Sequence, residues 1–190
     1  MTDARTRLVV VGTDGHGRSL VVSDGPVAAR VDRPRNAYPN MASTGPDDGS
    51  GSDYYAEELW RIDRVPASAA AEGSGHVDVA KYPPPGGVSV RKLSLPPTGD
   101  HAGVPDLDAL LEEFGPGNVS SPEDGAPVLH RHPCLHVITF LSGACYFILR
   151  TGEVYLEAGD CIVLRGDMHD WRNPFDAPAV ILATIVRLEE

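Results

Sequence analysis

Four of the seven histidines in this 190-residue chain, His130, His132, His136 and His169, lie within one 40-residue stretch. A neutral imidazole offers a lone pair to an ion such as Fe(II), Zn, Ni or Cu, and a site needs three or four such donors on rigid backbone. In an extended strand successive side chains alternate faces, so the even-numbered His130, His132 and His136 share a face wherever no bulge intervenes. The spacing therefore predicts three converging imidazoles. The segment Gly166-Asp-Met-His169-Asp-Trp-Arg-Asn173 brings a fourth from another strand. A lone histidine in a strand is ordinarily a polar or half-buried residue, and it is the His-x-His pairing that gives this group its weight. Cys134 has the same parity and is a candidate thiolate ligand, but Pro133 beside it invites a turn, and a small buried residue is the plainer reading.

The elements that must position these rings are short. From Pro127 onward, apolar runs of about six residues are punctuated by Ser142-Gly143, Thr151-Gly152, Ala158-Gly159-Asp160, Arg165-Gly166-Asp167 and Asn173-Pro174, which predicts a β sandwich, jelly roll or barrel. Leu8–Gly12 and Leu20–Val22 read as a hairpin around a turn rich in Gly and Asp. Tyr55–Val65 reads as one strand, and Val88–Leu95 as another in which Val88, Val90, Leu93 and Leu95 alternate imperfectly with polar residues. The segment 36–53, broken by Gly, Pro, Asp and Ser, is too polar to bury anything and reads as a flexible loop. One helix is predicted over Asp106–Phe114, where Leu107, Leu110, Leu111 and Phe114 recur at i, i+3, i+4 and i+7 with Asp106 as cap and Gly115 as stop.

Composition closes several function classes. Sixteen basic against 27 acidic residues give a formal charge of −11, which repels phosphate backbones and anionic lipid headgroups, so neither nucleic acid nor a membrane surface is an expected partner. No apolar run approaches the roughly 18 residues of a membrane span, and the start of the chain lacks a basic stretch followed by an apolar one, so a cytoplasmic protein is expected. Cys134, Cys145 and Cys161 cannot all pair, and no disulfide framework is implied. Twenty glycines and 17 prolines in a chain that is 42% hydrophobic fit many turns and short strands.

The tail resembles the cupin superfamily. That family's first motif is broadly Gly-x5-His-x-His-x3,4-Glu-x6-Gly and its second Gly-x5-Pro-x-Gly-x2-His-x3-Asn. Here His130-x-His132-x3-His136-x6-Gly143 keeps the first spacing with histidine in place of glutamate. Gly166-x2-His169-x3-Asn173 keeps the core of the second, which Gly159 opens, without its proline. The resemblance implies an all-β cupin jelly roll, a double-stranded β-helix barrel with one short helix and an N-terminal hairpin extension. It also implies one divalent metal per chain in the barrel mouth, Fe(II) ahead of Zn, Ni, Mn or Cu, and frequently a homodimer in which N-terminal strands pair across subunits. On this reading residues 1–35 are N-terminal strands exchanged in a dimer, 36–53 the loop, 54–126 strands and a short helix flanking the barrel, and 127–190 the core carrying both motifs. Histidine at position 136 removes a negative charge. An M(II) ion on four neutral imidazoles keeps a local charge of about +2 rather than about +1, a stronger Lewis acid suited to anionic, chelating substrates. Alternatively His136 swings away and leaves three ligands.

The expected ligands are thus His130, His132, His136 and His169, with Phe140, Phe147 and Trp171 as candidate apolar walls for a small-molecule substrate, though packing explains those three as well. Arg150 and Arg165 are candidates to pair with a substrate carboxylate, against a default of exposed turn residues. Asn173 is expected to support its turn. No Gly-x-Ser-x-Gly elbow accompanies the Ser, His and Asp residues, and the glycine clusters near residues 12 and 49 lack a phosphate-loop context. The expected function is a metal-dependent enzyme, an oxygenase or dioxygenase acting on a small organic molecule. The alternatives are a non-redox isomerase, cyclase or decarboxylase, or a binding module without catalysis.

Overall fold

The computed structural model describes residues 5–33, 54–67, 81–97, 111–112, 116–121 and 129–188. In chain order the strands are β1 (Arg7–Thr13), β2 (Ser19–Pro26), β3 (Arg30–Arg33), β4 (Tyr54–Ile62), β5 (Val88–Leu95), β6 (Val119–Ser121), β7 (Leu129–Arg131), β8 (Cys134–Ser142), β9 (Ala144–Leu149), β10 (Gly152–Glu157), β11 (Cys161–Arg165), β12 (Asp170–Arg172) and β13 (Ala179–Arg187). Loop 36–53 and most of the predicted helix fall outside the described residues. Within that helix Leu111 is buried. Among the described residues no helix is long and apolar enough to cross a membrane.

Two layers face each other. The larger sheet runs β11-β8-β13-β5-β4-β3, every neighbouring pair antiparallel. The smaller layer is β10-β9-β12, extended to the pair β6-β7 by a bridge between His130 and His169. Between the layers lie Phe140, Ile138, Ile181, Ala183 and Ile185 from one side and Cys145, Phe147, Leu156 and Trp171 from the other, all buried. Burying a large apolar side chain contributes about 1.5–3 kcal/mol, so this seam stabilises the barrel. Gly143 makes the β8–β9 turn possible: it adopts φ +70°, and a Cβ there would stand 2.6 Å from the Pro178 carbonyl oxygen.

The register places the inner residues in rows. Phe140, Ile181, Leu93 and Ala56 form one row, Ile138, Ala183, Arg91 and Glu58 the next, and His136, Ile185 and Ser89 the one nearest the histidine cluster. The imperfect alternation of Val88–Leu95 has its reason here. Ser89 and Arg91 are buried while Val88 and Val90 are only half-buried. Val88 and Val90 thus lie on the other face of β5 from Ser89 and Arg91. Ser89 and Arg91 go inside because Glu58 meets them there: the Ser89 hydroxyl donates to Glu58 Oε1 and Arg91 Nε donates to Glu58 Oε2 at 3.0 Å. A buried ion pair survives only with its hydrogen bonds completed.

On the opposite face of β4, Glu57 is fully buried and anchors the N-terminal segment. It accepts from Thr6 N at 3.2 Å and Thr6 Oγ1 at 2.6 Å and pairs with Arg30 at 3.3 Å. From this root β1 and β2 form a two-stranded sheet of their own with Val9, Val11, Leu20, Val21 and Val22 exposed.

Candidate metal centre

Backbone hydrogen bonds set the first two rings. His130 N donates to His169 O and His169 N to His130 O, each at 2.9 Å, so the two residues form a directly opposed antiparallel pair with side chains on one face. Their ring centroids are 4.8 Å apart. His132 follows on that strand and ends it: Cys134 N donates to His132 O at 2.7 Å, turning the chain at Pro133 into β8. The shared face predicted for His130, His132 and His136 is therefore not that of a single strand. His136 reaches the cluster from the larger sheet and the other three from the smaller layer, because the Pro133 turn folds the segment back on itself. Centroids stand 5.0 Å apart for His130 and His132, 5.8 Å for His132 and His136, and 6.1 Å for His132 and His169.

All four rings are held neutral. Burial, with repulsion from His169 and His136, pushes His130 down to about 3. Burial, His169 and the Arg91 guanidinium push His136 down to about 3 as well. His132 falls well below the usual imidazole range, chiefly through burial, and His169 falls for the same reason, its bond to Asp167 partly offsetting the shift. Two tautomers are fixed from outside the cluster. His169 Nδ1 lies 2.8 Å from the Asp167 carbonyl oxygen and His132 Nδ1 2.6 Å from Asn118 Oδ1. Both must donate there, which leaves both Nε2 atoms as lone pairs.

Four neutral imidazoles are, by their chemistry, a donor set for a divalent metal ion. Among the described residues, no group of three or more His, Cys, Asp or Glu side chains is placed to hold a metal ion as it stands. With a metal–nitrogen distance of about 2.1 Å, two imidazoles on opposite sides of one ion have centroids roughly 6.4 Å apart and two in a tetrahedral set roughly 5.3 Å, so the pairs at 4.8 and 5.0 Å lie within the tetrahedral span and those at 5.8 and 6.1 Å, both involving His132, lie beyond it. His130 Nδ1 is buried without a hydrogen-bond partner, 4.0 Å from Asp170 Oδ1. Buried polar atoms seldom go unsatisfied, and one in a ring ringed by other imidazoles is what a missing bond partner leaves behind.

The family model described as a cupin domain matches residues 110–185. The chain carries a cupin domain. No curated protein matches the sequence. Among solved structures the cupin domain is similar to that of an XRE-family transcriptional regulator from Enterobacter cloacae, at 14% identity over 54% of this chain and 83% of that one, TM-score 0.34. A polyketide cyclase from Streptomyces resistomycificus aligns at 15% identity over 70% of this chain and 64% of that one, TM-score 0.38. A cupin-2 domain protein from Rhodospirillum rubrum aligns at 12% identity over 85% and 71%, TM-score 0.44.

Around the cupin histidines the walls are mixed. Phe147 stacks on His169 at 5.9 Å and 21°, and Trp171, its cross-strand partner, is buried beside it. Phe140 is four residues beyond His136 along β8, about 13 Å, in the packed core. Cys134 is fully buried, its thiol pushed up by burial. Arg150 and Arg165 are exposed. Asn173 pins its turn, donating to Leu95 O at 3.0 Å and Ala177 O at 2.9 Å. Sequence reasoning missed Tyr82, whose ring lies 4.6 Å from His132 and 5.6 Å from His136, and Arg91, whose guanidinium lies over Tyr82 at 5.4 Å. It also missed Glu58 and Asn118. The signal for Arg91 was a polar residue at alternate positions of β5, whereas Glu58, adjacent to Glu57, showed no such alternation. Tyr82 and Asn118 left none.

Proposed function

We propose that His130, His132, His136 and His169 bind one divalent metal ion and that the chain is an enzyme acting on a small organic molecule at that ion. The observation that carries this reading is the gathering of four buried, neutral imidazoles from two facing layers, two of them with Nε2 already committed as a lone pair. An all-imidazole set suits Fe, Ni, Cu or Zn, and Fe(II) is the ion proposed first because the apolar walls at Phe147 and Trp171 favour a nonpolar gas such as dioxygen. The bound ion supplies open coordination positions and Lewis acidity. The chain does the rest: Phe147 and Trp171 exclude water on one side, Tyr82 covers His132 and His136 on the other, and Arg91, neutralised by Glu58, adds a buried donor one row below His136. The lack of a carboxylate among the four rings favours a second reading, non-redox isomerase, cyclase or decarboxylase chemistry on an anionic chelating substrate.

Elemental analysis of protein purified without a metal-affinity tag tests the site. Near-stoichiometric metal is expected, falling steeply in His132→Ala and His169→Ala while the β-rich circular dichroism persists. Unchanged metal content in both variants would sink the assignment. Oxygen uptake by the iron-loaded protein with enol, diketone or phenol-like compounds separates oxidation from Lewis-acid chemistry. We also propose that the chain is cytoplasmic, which suits its free Cys134, Cys145 and Cys161, and a homodimer through the β1–β2 arm. Two arms of about 23 by 10 Å, each lying on a second copy, bury roughly 1,000 Å² in total, the lower bound for a specific interface.

A further inference from the structure

Asn118 stands outside both histidine motifs, yet its carboxamide is fixed at both ends. Its Nδ2 donates to the Leu111 carbonyl at 3.2 Å, so its Oδ1 must be the atom facing His132 Nδ1 at 2.6 Å. An amide turned the other way would set its NH2 against the ring and oppose two carbonyl oxygens at Leu111. The stretch carrying it is anchored as well, because Arg187 Nη2 donates to Pro116 O at 2.6 Å and Gly117 turns the chain with φ +82°. We propose that Asn118 is a positioning residue: it holds His132 in the Nδ1–H tautomer and so decides which nitrogen the ring offers to the metal. This rests on the metal reading above for its consequence, but the tautomer itself does not depend on any ion. A free histidine side chain favours the Nε2–H form, which would present a proton to the centre of the cluster. Partners behind a ligating imidazole are typically worth ten- to hundred-fold in metal affinity.

The test uses the full chain labelled with 15N in histidine, metal-free, with two-bond 15N–1H correlation spectra assigned by His132→Gln. The expected pattern for His132 has Nδ1 protonated and Nε2 bare. In Asn118→Leu the ring should move to the Nε2–H form, and Zn(II) affinity, read by competition with a chromophoric chelator, should fall ten- to hundred-fold. Asn118→Asp keeps the acceptor toward His132 but sets a carboxylate oxygen against the Leu111 carbonyl, so the Nδ1–H tautomer should be kept at some cost in stability, which separates the hydrogen bond to the ring from any loss of packing. An Nε2–H signal for His132 in the unsubstituted protein overturns the proposal, and so does Zn(II) affinity unmoved by Asn118→Leu. A locked tautomer in a protein that binds no divalent ion overturns the metal reading and leaves the hold of Asn118 on the ring.

Discussion

Acidifying the metal-free protein should cost it stability through the buried rings, in an amount that can be worked out. His130 and His136 sit at about 3 in the folded chain, against about 6.5 when unfolded. A depressed folded value means that the unfolded state binds more protons below pH 6.5, so the stability is complete above that pH and drains away as the pH falls toward 3. At pH 5 each ring has lost about 1.5 pH units at 1.36 kcal/mol per unit, or about 2 kcal/mol. Part of each shift is repulsion within the cluster and must not be counted twice, so the pair together costs about 2–4 kcal/mol of a domain stability of about 5–15 kcal/mol. The assay is urea unfolding at pH 7.5 and pH 5.0 of the wild-type chain and of a His130→Gln/His136→Gln double variant, both stripped by a chelator. Titration of other groups cancels between the two proteins. Wild type should lose about 2–4 kcal/mol more than the variant across that interval. Equal losses would refute the reasoning, for they would mean that the two rings are solvated or protonated in the folded chain.

Three further outcomes are expected. Gly143→Ala, which forces a Cβ to 2.6 Å from the Pro178 oxygen at φ +70°, should cost about 2–4 kcal/mol and lower the thermal midpoint by roughly 5–15 °C in calorimetry. Glu57→Ala leaves Arg30 and Thr6 without their buried partner and should destabilise the chain by about 3–5 kcal/mol in urea, with faster proteolysis within residues 5–26 than elsewhere. Val11→Asp with Val22→Asp should convert a dimer to a monomer by light scattering while leaving metal content unchanged, and a monomeric wild type would remove the arm's proposed role.

The longer strands after Pro127, β8 to β11 and β13, were legible because they are bracketed by Gly, Asp or Asn turns and are long enough to show their period. β3 and β6, of four and three residues, are too short to carry one. The histidines were legible as a group from their spacing, but how they converge was not. Their common parity suggested one face of one strand, and the Pro133 turn that splits them between two layers also brings them together. The burial of Arg91 and Ser89 was not legible because hydrophobic alternation assumes that the inside of a barrel is apolar, whereas here Glu58 pairs with both inside it. Tyr82 and Asn118 come from segments 50 and 14 residues before His132, and contacts at such separations are decided by topology rather than by any local pattern.

β13 pairs with β8 on one side and β5 on the other, and it is the last of the described strands in chain order. Until it has been synthesised, β11-β8 and β5-β4-β3 share no neighbour, and the larger sheet is two open pieces with two unpaired inner edges. Folding of the nascent chain therefore waits on residues 179–187, long after His130, His132 and His136 have left the ribosome. A premature stop before Ala179 would yield a chain with every histidine of the cluster and an edge on each half-sheet ready to pair with another copy, a template for aggregation rather than a weakened fold.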